Sequence, residues 1–416
     1  MKKILALFCV LLSLNLTANI MAHEGHDHAK SNLAISVVFD NKGSLLRTYV
    51  KDGFVLVDSS DDMTKTFSPA IKVNASVQKI GADGEARPKI AIAQNGYVYI
   101  TWTEALAKPF TGYIWFARST NGGKSFEPAY IVHQDRAEIT HRFDALHVSP
   151  NGNITVAWVD KRDLLAAKLA NKPYTGAAIY YAVSTDAGKT FAPEKKLADS
   201  SCECCRIALV NKSNHNQADD TVVALWRHVF ANSERDHAIA ELTANGSVPV
   251  IHRATYGHWK IDGCPHQGAA MAVGEGFGYH IAWFDGGNDA DNEPAGKNAT
   301  LYVARMDGDA WVSSVPKKFG NNAHQAAHPA LLSQGENVWL AWREINPDTK
   351  NTEIFGKNST DGGRNWESTQ LLLSTAGAAD YPILLMRKST GQKVKPENPY
   401  LIVNTVADGL KLIPLM

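Results

Sequence analysis

The sequence predicts an all-β chain, a β-propeller of four-stranded antiparallel blades, with seven blades expected and six as the alternative. Two observations carry that expectation. Three stretches are nearly identical: Ser119-Thr-Asn-Gly-Gly-Lys-Ser-Phe126, Ser184-Thr-Asp-Ala-Gly-Lys-Thr-Phe191 and Ser359-Thr-Asp-Gly-Gly-Arg-Asn-Trp366, with a weaker copy from Ser59 to Phe67. A tight turn repeated together with its closing aromatic marks a repeated supersecondary unit. Between these turns, apolar stretches end in a tryptophan followed two residues later by an acid, at Trp102/Glu104, Trp158/Asp160, Trp283/Asp285 and Trp342/Glu344, with Trp226/His228 as a variant. The tryptophans are 56, 68, 57 and 59 residues apart, one blade each.

Each unit then reads in the same order. A short apolar strand comes first, at 88–93, 143–148, 206–210, 269–273 and 329–332, with 34–39 and 382–386 adding one at each end of the chain. A turn rich in glycine or asparagine leads to the strand that ends in tryptophan. A third strand, the repeated turn and an outer strand complete an antiparallel meander. The last unit, 381–416, shows three strands and lacks the repeated turn. In a meander the start of the first strand shares a face with the end of the second, and the end of the third strand lies opposite. The repeated turns therefore belong to the face away from the inner-strand entries. Their Asp and Ser side chains are expected to cap their own backbone amides.

The pattern S-x-D/N-x-G-K/R-x-F/W of these turns resembles the Asp box of sialidase-like, BNR-repeat β-propellers. That resemblance implies the propeller fold over nearly the whole chain after its first 22 residues. A propeller also explains how about 390 residues without a linker can form one domain, because each blade buries its faces against its neighbours.

The start of the chain, a Met-Lys-Lys triplet followed by an apolar run over 4–16 and small residues up to Ala22, reads as a secretory signal peptide. The expected domains are thus a signal peptide at 1–22, a histidine-rich tail at 23–32 and a propeller at 33–416, in a periplasmic or secreted protein. The run is too short to span a bilayer, so no membrane association is expected after cleavage. Forty-two basic and 42 acidic residues balance, and no basic stripe appears, which excludes nucleic acid as a partner class.

The residues just before each inner strand converge on the other face. They are Glu85 and Arg87; His141, Arg142 and Asp144; Cys202, Glu203, Cys204, Cys205 and Arg206; Cys264 and His266; His324 and His328; and Asp380 and Tyr381. All four cysteines beyond the signal segment fall in this set. Disulfides are the ordinary state of exported cysteines, and Cys202–Cys205 with Cys204–Cys264 is one pairing. Three cysteines within four residues are cramped for disulfide geometry, however. Thiolates beside imidazoles suit a soft or borderline ion, copper in preference to zinc. The expected ligands are Cys202, Cys204, Cys205, Cys264 and His266, with His324 and His328 close by. The tail adds His23, His26 and His28, a short His/Asp cluster that can bind metal on its own.

The first functional expectation is therefore an exported metal-binding propeller in metal handling or metal-dependent redox chemistry. The resemblance implies a second, an exo-α-sialidase-type glycoside hydrolase. Sialidases hold a substrate carboxylate with three arginines and use an Asp acid/base and a Tyr nucleophile helped by a Glu. On that resemblance Arg87, in Glu-Ala-Arg-Pro-Lys-Ile, matches the first arginine, Tyr381 the tyrosine, and Arg142 and Asp144 a cation and a carboxylate. Arg227, Arg343 and Glu344 are further candidates. Simple ion pairs of Arg87, Arg142 and Arg206 with Glu85, Asp144 and Glu203 are the competing expectation. A periplasmic scaffold binding another protein is a third alternative. Partner classes are accordingly a metal ion, a glycan or a periplasmic protein.

Overall fold

The computed structural model describes residues 33, 35–213, 220–242, 248–261, 263, 265–287, 299–387 and 399–415. The histidine-rich tail, the signal segment and Cys264 lie outside the described residues.

The strands form seven separate antiparallel sheets, six of four strands and a last one of three. Within every sheet the strands follow chain order, so each blade is a simple meander. The innermost strands are Ser36–Phe39, Lys89–Ile92, His141–Val148, Ala208–Asn211, Ala270–Gly274, Ala327–Gln334 and Ala379–Met386, here called blades 1 to 7. Consecutive innermost strands touch around the ring, and blade 7 touches blade 1. The chain is thus a closed propeller of seven blades, and the six-blade alternative is discarded.

The core is divided in the same way, into seven apolar clusters, one between each pair of neighbouring blades. Val57 meets Ile100 between blades 1 and 2, and Phe116 meets Ile154 between blades 2 and 3. Ile402 of blade 7 packs with Val37 and Leu45 of blade 1 and closes the ring. Burying many modest interfaces rather than one centre lets a chain of this length remain one domain. Trp102, Trp158, Trp226 and Trp342 are each under 2 % exposed and Trp283 is 3 % exposed. The Trp-x-acid pattern has a direct cause at two of them. The indole Nε1 of Trp158 donates to Asp160 at 2.9 Å and that of Trp342 donates to Glu344 at 2.7 Å. A fully buried indole N–H needs an acceptor, and the residue two positions on along the same strand face provides it.

The repeated turns lie where expected. In blade 2, Ile92 at the end of the inner strand pairs with Val98, and Val98 pairs with Ser119 at the end of the third strand. The turn is therefore on the rim opposite Arg87. Its capping follows one scheme in each copy. Ser184 Oγ donates to Asp186, and Asp186 accepts the amides of Lys189 and Thr190 at 3.0 Å. Asp361 accepts the amide of Asn365 at 2.8 Å, and Asn121 that of Ser125 at 3.0 Å. The Asn365 amide, with the Asn365 and Ser359 side chains, holds Asp361 down at about 2. The weaker copy repeats the scheme with Ser60 and Asp62. One helix, Arg162–Leu169, is inserted after the second strand of blade 3 and buries none of its residues. No helix among the described residues is long and apolar enough to cross a membrane.

Candidate functional site at the channel mouth

Left-handed backbone marks the inner-strand entries. Phe143, His266, His328 and Tyr381 have φ of 56°, 50°, 52° and 55°. These residues begin blades 3, 5, 6 and 7. For L-residues other than glycine this conformation costs about 1–2 kcal/mol, and it recurs at sites where side chains must be re-aimed. Three of the four sit in bulges. Two residues, Phe143 and Asp144, oppose Trp158 alone, and the ladder shifts register at His328 and at Tyr381. A bulge turns the extra side chain out of the sheet alternation.

The result is a continuous group across blades 5 to 7 and 2. The ring of His328 stacks on Tyr381 with centroids 4.2 Å apart. His328 Nδ1 meets Asp380 Oδ1 at 2.7 Å, and Nε2 meets the carbonyl of His266 at 3.2 Å. Burial alone would raise the Asp380 carboxyl, but the facing His328 and Arg343 hold it well below the usual carboxylate range. The Tyr381 ring lies over the turn at Gly84, where a Cβ would fall 2.0 Å from its hydroxyl, so only glycine fits there. Arg87 sits over the other part of the same ring at 5.3 Å. Burial, Asp380 and Glu85 push the Tyr381 phenol far up.

Positive charge is concentrated here. Arg206 reaches across the channel and donates from Nε to Ala269 O and from Nη2 to Pro329 O. Arg87 donates to Ser36 Oγ and to Gly84 O. Burial and the Arg206 charge both lower Arg87. Burial, opposed by Asp144, brings Lys89 down to about 8. Glu85 is 2 % exposed; its Oε2 accepts the Arg206 amide at 2.7 Å, while its Oε1 is buried and has no hydrogen-bond partner among the described residues.

Other expected residues are engaged elsewhere. Both oxygens of Asp144 accept threonine hydroxyls of blade 2, Thr101 at 2.5 Å and Thr103 at 3.1 Å. Arg142 lies 3.8 Å from Asp83 rather than against Asp144, and Glu203 pairs with Lys161 rather than with Arg206. His324 Nδ1 faces Glu344 at 3.4 Å. His141 Nδ1 donates to Gly112 O at 3.0 Å, and the ring stacks on His133 at 4.0 Å.

The cysteines do meet. Cys202, Cys204 and Cys205 are 1 %, 3 % and 3 % exposed. Cys202 Sγ is 3.8 Å from Cys204 Sγ and 3.4 Å from Cys205 Sγ. The loop is pinned by the Cys202 amide on the Arg227 carbonyl at 2.9 Å. Phe143, Ile207 and Trp226 share their apolar cluster. Hydrogen bonds from Cys204 and Cys205 draw the Cys202 thiol well down, and the bond to Cys202 pushes Cys205 up. Neither His266, His324 nor His328 joins the three sulfurs; the ring of His266 lies 6.2 Å from that of Phe143, which belongs to the same apolar cluster as the cysteines.

Lys89, the unpartnered Glu85 oxygen and the bulge at Phe143 escape sequence reasoning. One signal was present: His328 and Tyr381 each precede a proline at the strand entry, a position already barred from ordinary helical backbone.

No family model matches this sequence, and no curated protein matches it. Solved structures do. An ulvan lyase of polysaccharide lyase family PL25, bound to -[GlcA(1-4)Rha3S]-, superposes with a TM-score of 0.54 at 14 % identity, covering 91 % of each chain. An α-L-arabinofuranosidase from Fusarium graminearum, in complex with an iminosugar inhibitor, has a TM-score of 0.50 at 12 % identity, covering 80 % of this chain and 93 % of that one. The Hadza microbial sialidase Hz136 has a TM-score of 0.46 at 16 % identity, covering 88 % and 74 %. At such identities the likeness to the ulvan lyase and the arabinofuranosidase is one of fold, and the expected seven-bladed propeller is the fold of this chain.

Proposed function

We propose that the chain is an exported glycan-active enzyme that cleaves a glycosidic bond beside an acidic sugar at the channel mouth. One observation carries the reading: Tyr381, Glu85, Arg87 and Lys89 converge there with half-buried positive charge and one carboxylate oxygen lacking a hydrogen-bond partner among the described residues. A substrate carboxylate would relieve the like-charge penalty on Arg87 and Lys89. Tyr381 is held as the neutral phenol, so it acts as a nucleophile only if a base takes its proton, and Glu85 is the facing carboxylate. The fold shared with the ulvan lyase and the arabinofuranosidase supports this class of substrate, since both are glycan-active enzymes. The leader read from the sequence would deliver the chain to the periplasm or beyond.

The arginines argue against sialic acid itself. Arg206 is spent on backbone carbonyls and Arg343 faces Asp380 at 3.5 Å, so a three-arginine clamp is not assembled. The test is incubation of the full chain with uronate-containing and sialylated glycans, reading new reducing ends and unsaturated sugar. Cleavage of a uronate glycan that drops at least about 100-fold in Tyr381→Phe is expected for a lost nucleophile. Cleavage of none of them, or full activity in Tyr381→Phe, overturns the reading. Metal handling, the function expected first from the sequence, rests on different side chains, the three buried thiols of blade 4.

A further inference from the structure

We infer that Cys202, Cys204 and Cys205 hold one thiophilic d¹⁰ ion, Cu(I) or Zn(II), in a dry site behind the channel mouth. The site goes beyond the glycan reading and does not depend on it. Three features of the structure carry the inference.

Sulfur spacing comes first. Metal–sulfur bonds of ~2.3 Å place sulfurs about 3.8 Å apart around a tetrahedral ion and about 4.0 Å apart around a trigonal one. The structure has Sγ pairs at 3.8 and 3.4 Å, and all three sulfurs lie within 4.8 Å of one another. A disulfide would need ~2.05 Å, with side-chain geometry that adjacent Cys204 and Cys205 meet poorly.

The surroundings come second. The three side chains are at most 3 % exposed and are packed under Phe143, Ile207 and Trp226. Phe143 adopts its strained left-handed backbone at this spot, and the bulge there points its ring into the same cluster as the thiols. An apolar shell of this kind limits water and oxidant access to a bound ion.

Charge is the third and independent feature. Arg227 is 1 % exposed, yet its guanidinium donates only to carbonyl oxygens among the described residues, those of Arg235, Gln267 and Phe284. Arg227 acts electrostatically on Cys202 and also on the buried Asp285 carboxylate, so the cysteines sit beside a fixed buried cation that favours negative charge on sulfur. Three thiolates, Arg227 and a divalent ion sum to zero charge; with a monovalent ion they sum to minus one. Either total is far smaller than the charge of the bare thiolates.

The test uses the full chain, purified under reducing, oxygen-free conditions and offered Cu(I) or Zn(II) in separate arms. Expected is about one equivalent retained through desalting in at least one arm, with a thiolate-to-metal charge-transfer band, as for other thiolate sites. Retention of only Cu(I) or only Zn(II) identifies the ion; Cys202→Ser and Cys205→Ser should each lower affinity at least ten-fold. Alkylation mass spectrometry on the unsubstituted protein covers the case of a variant that fails to fold. Bound metal should protect Cys202, Cys204 and Cys205, and a strong chelator should restore their labelling. No retention in either arm, labelling indifferent to metal, or a disulfide that consumes Cys202 in the native protein overturns the site. Glycan cleavage surviving removal of the ion would leave this inference standing and separate it from the enzymatic reading.

Discussion

His328 and Tyr381, on adjacent blades, stack at 4.2 Å, and both are held in left-handed backbone with φ near 50°. The contact exists only because each residue sits in a bulge that turns it into the channel. Strain of this kind is measurable. His328→Ala and His328→Gly lose the same contacts to Asp380 and Tyr381, but glycine is at ease at positive φ. The glycine variant should therefore be more stable than the alanine variant by about 1 kcal/mol. Denaturant midpoints at unchanged slope read this directly, and equal stability would remove the strain from the account.

The repeated turns give a paired test. Gly188 has φ of +77°, and a Cβ there would lie 2.7 Å from the Phe116 ring; Gly96 has φ of +83° with nothing within 4 Å. Gly96→Ala should cost only the backbone penalty, about 1 kcal/mol, and Gly188→Ala about 1–3 kcal/mol more because the core must shift. Similar losses in the two variants would show that the turn does not fix the aromatic.

Buried histidines set the acid limit. Burial holds His133 at about 3 and His228 and His280 at about 4, against 6.5 for a free ring. Each is therefore neutral when folded and takes a proton on unfolding once the pH drops below about 6.5. The stability they allow is complete above that pH and is lost as pH falls toward 4, by up to about 1.4 kcal/mol per pH unit per ring. Unfolding free energies at pH 8 and pH 5 should show the loss, and His280→Gln should flatten its slope. An unchanged slope in that variant excludes His280 as a contributor.

Glu344 is 4 % exposed and accepts both the Trp342 indole at 2.7 Å and the Asn321 amide at 2.8 Å on Oε1. Glu344→Gln retains an acceptor oxygen, while Glu344→Ala strands two buried donors at about 1–3 kcal/mol each. Thermal melts should rank the variants as native, then Gln, then Ala with a clear gap. An alanine variant as stable as the glutamine one would refute the assigned role of the acid.

Local chemistry alone determined the make-up of each blade, while ring closure decided seven blades over six. Turn residues, period-two strands and the Trp-x-acid pair act over a few neighbouring positions, so the blade length, the blade order and the face of each turn could be read from residues such as Trp158, Asp160 and Asp186. The gathering of Cys202, Cys204 and Cys205 was legible too, because three cysteines within four residues cannot be far apart. The function of the mouth was another matter. Whether a carboxylate or an imidazole is available depends on what the next blade places against it, and chain position does not encode that. Thr101 and Thr103 of blade 2 occupy Asp144 of blade 3, and Asp380 of blade 7 occupies His328 of blade 6. Arg227 ends among carbonyls and acts on Cys202, and Glu85 keeps one oxygen without a hydrogen-bond partner among the described residues. These are contacts between blades set by ring closure and by bulges at Phe143, His328 and Tyr381. Only the tertiary structure decides them, because the energies that settle them come from burial and electrostatics across distant parts of the chain.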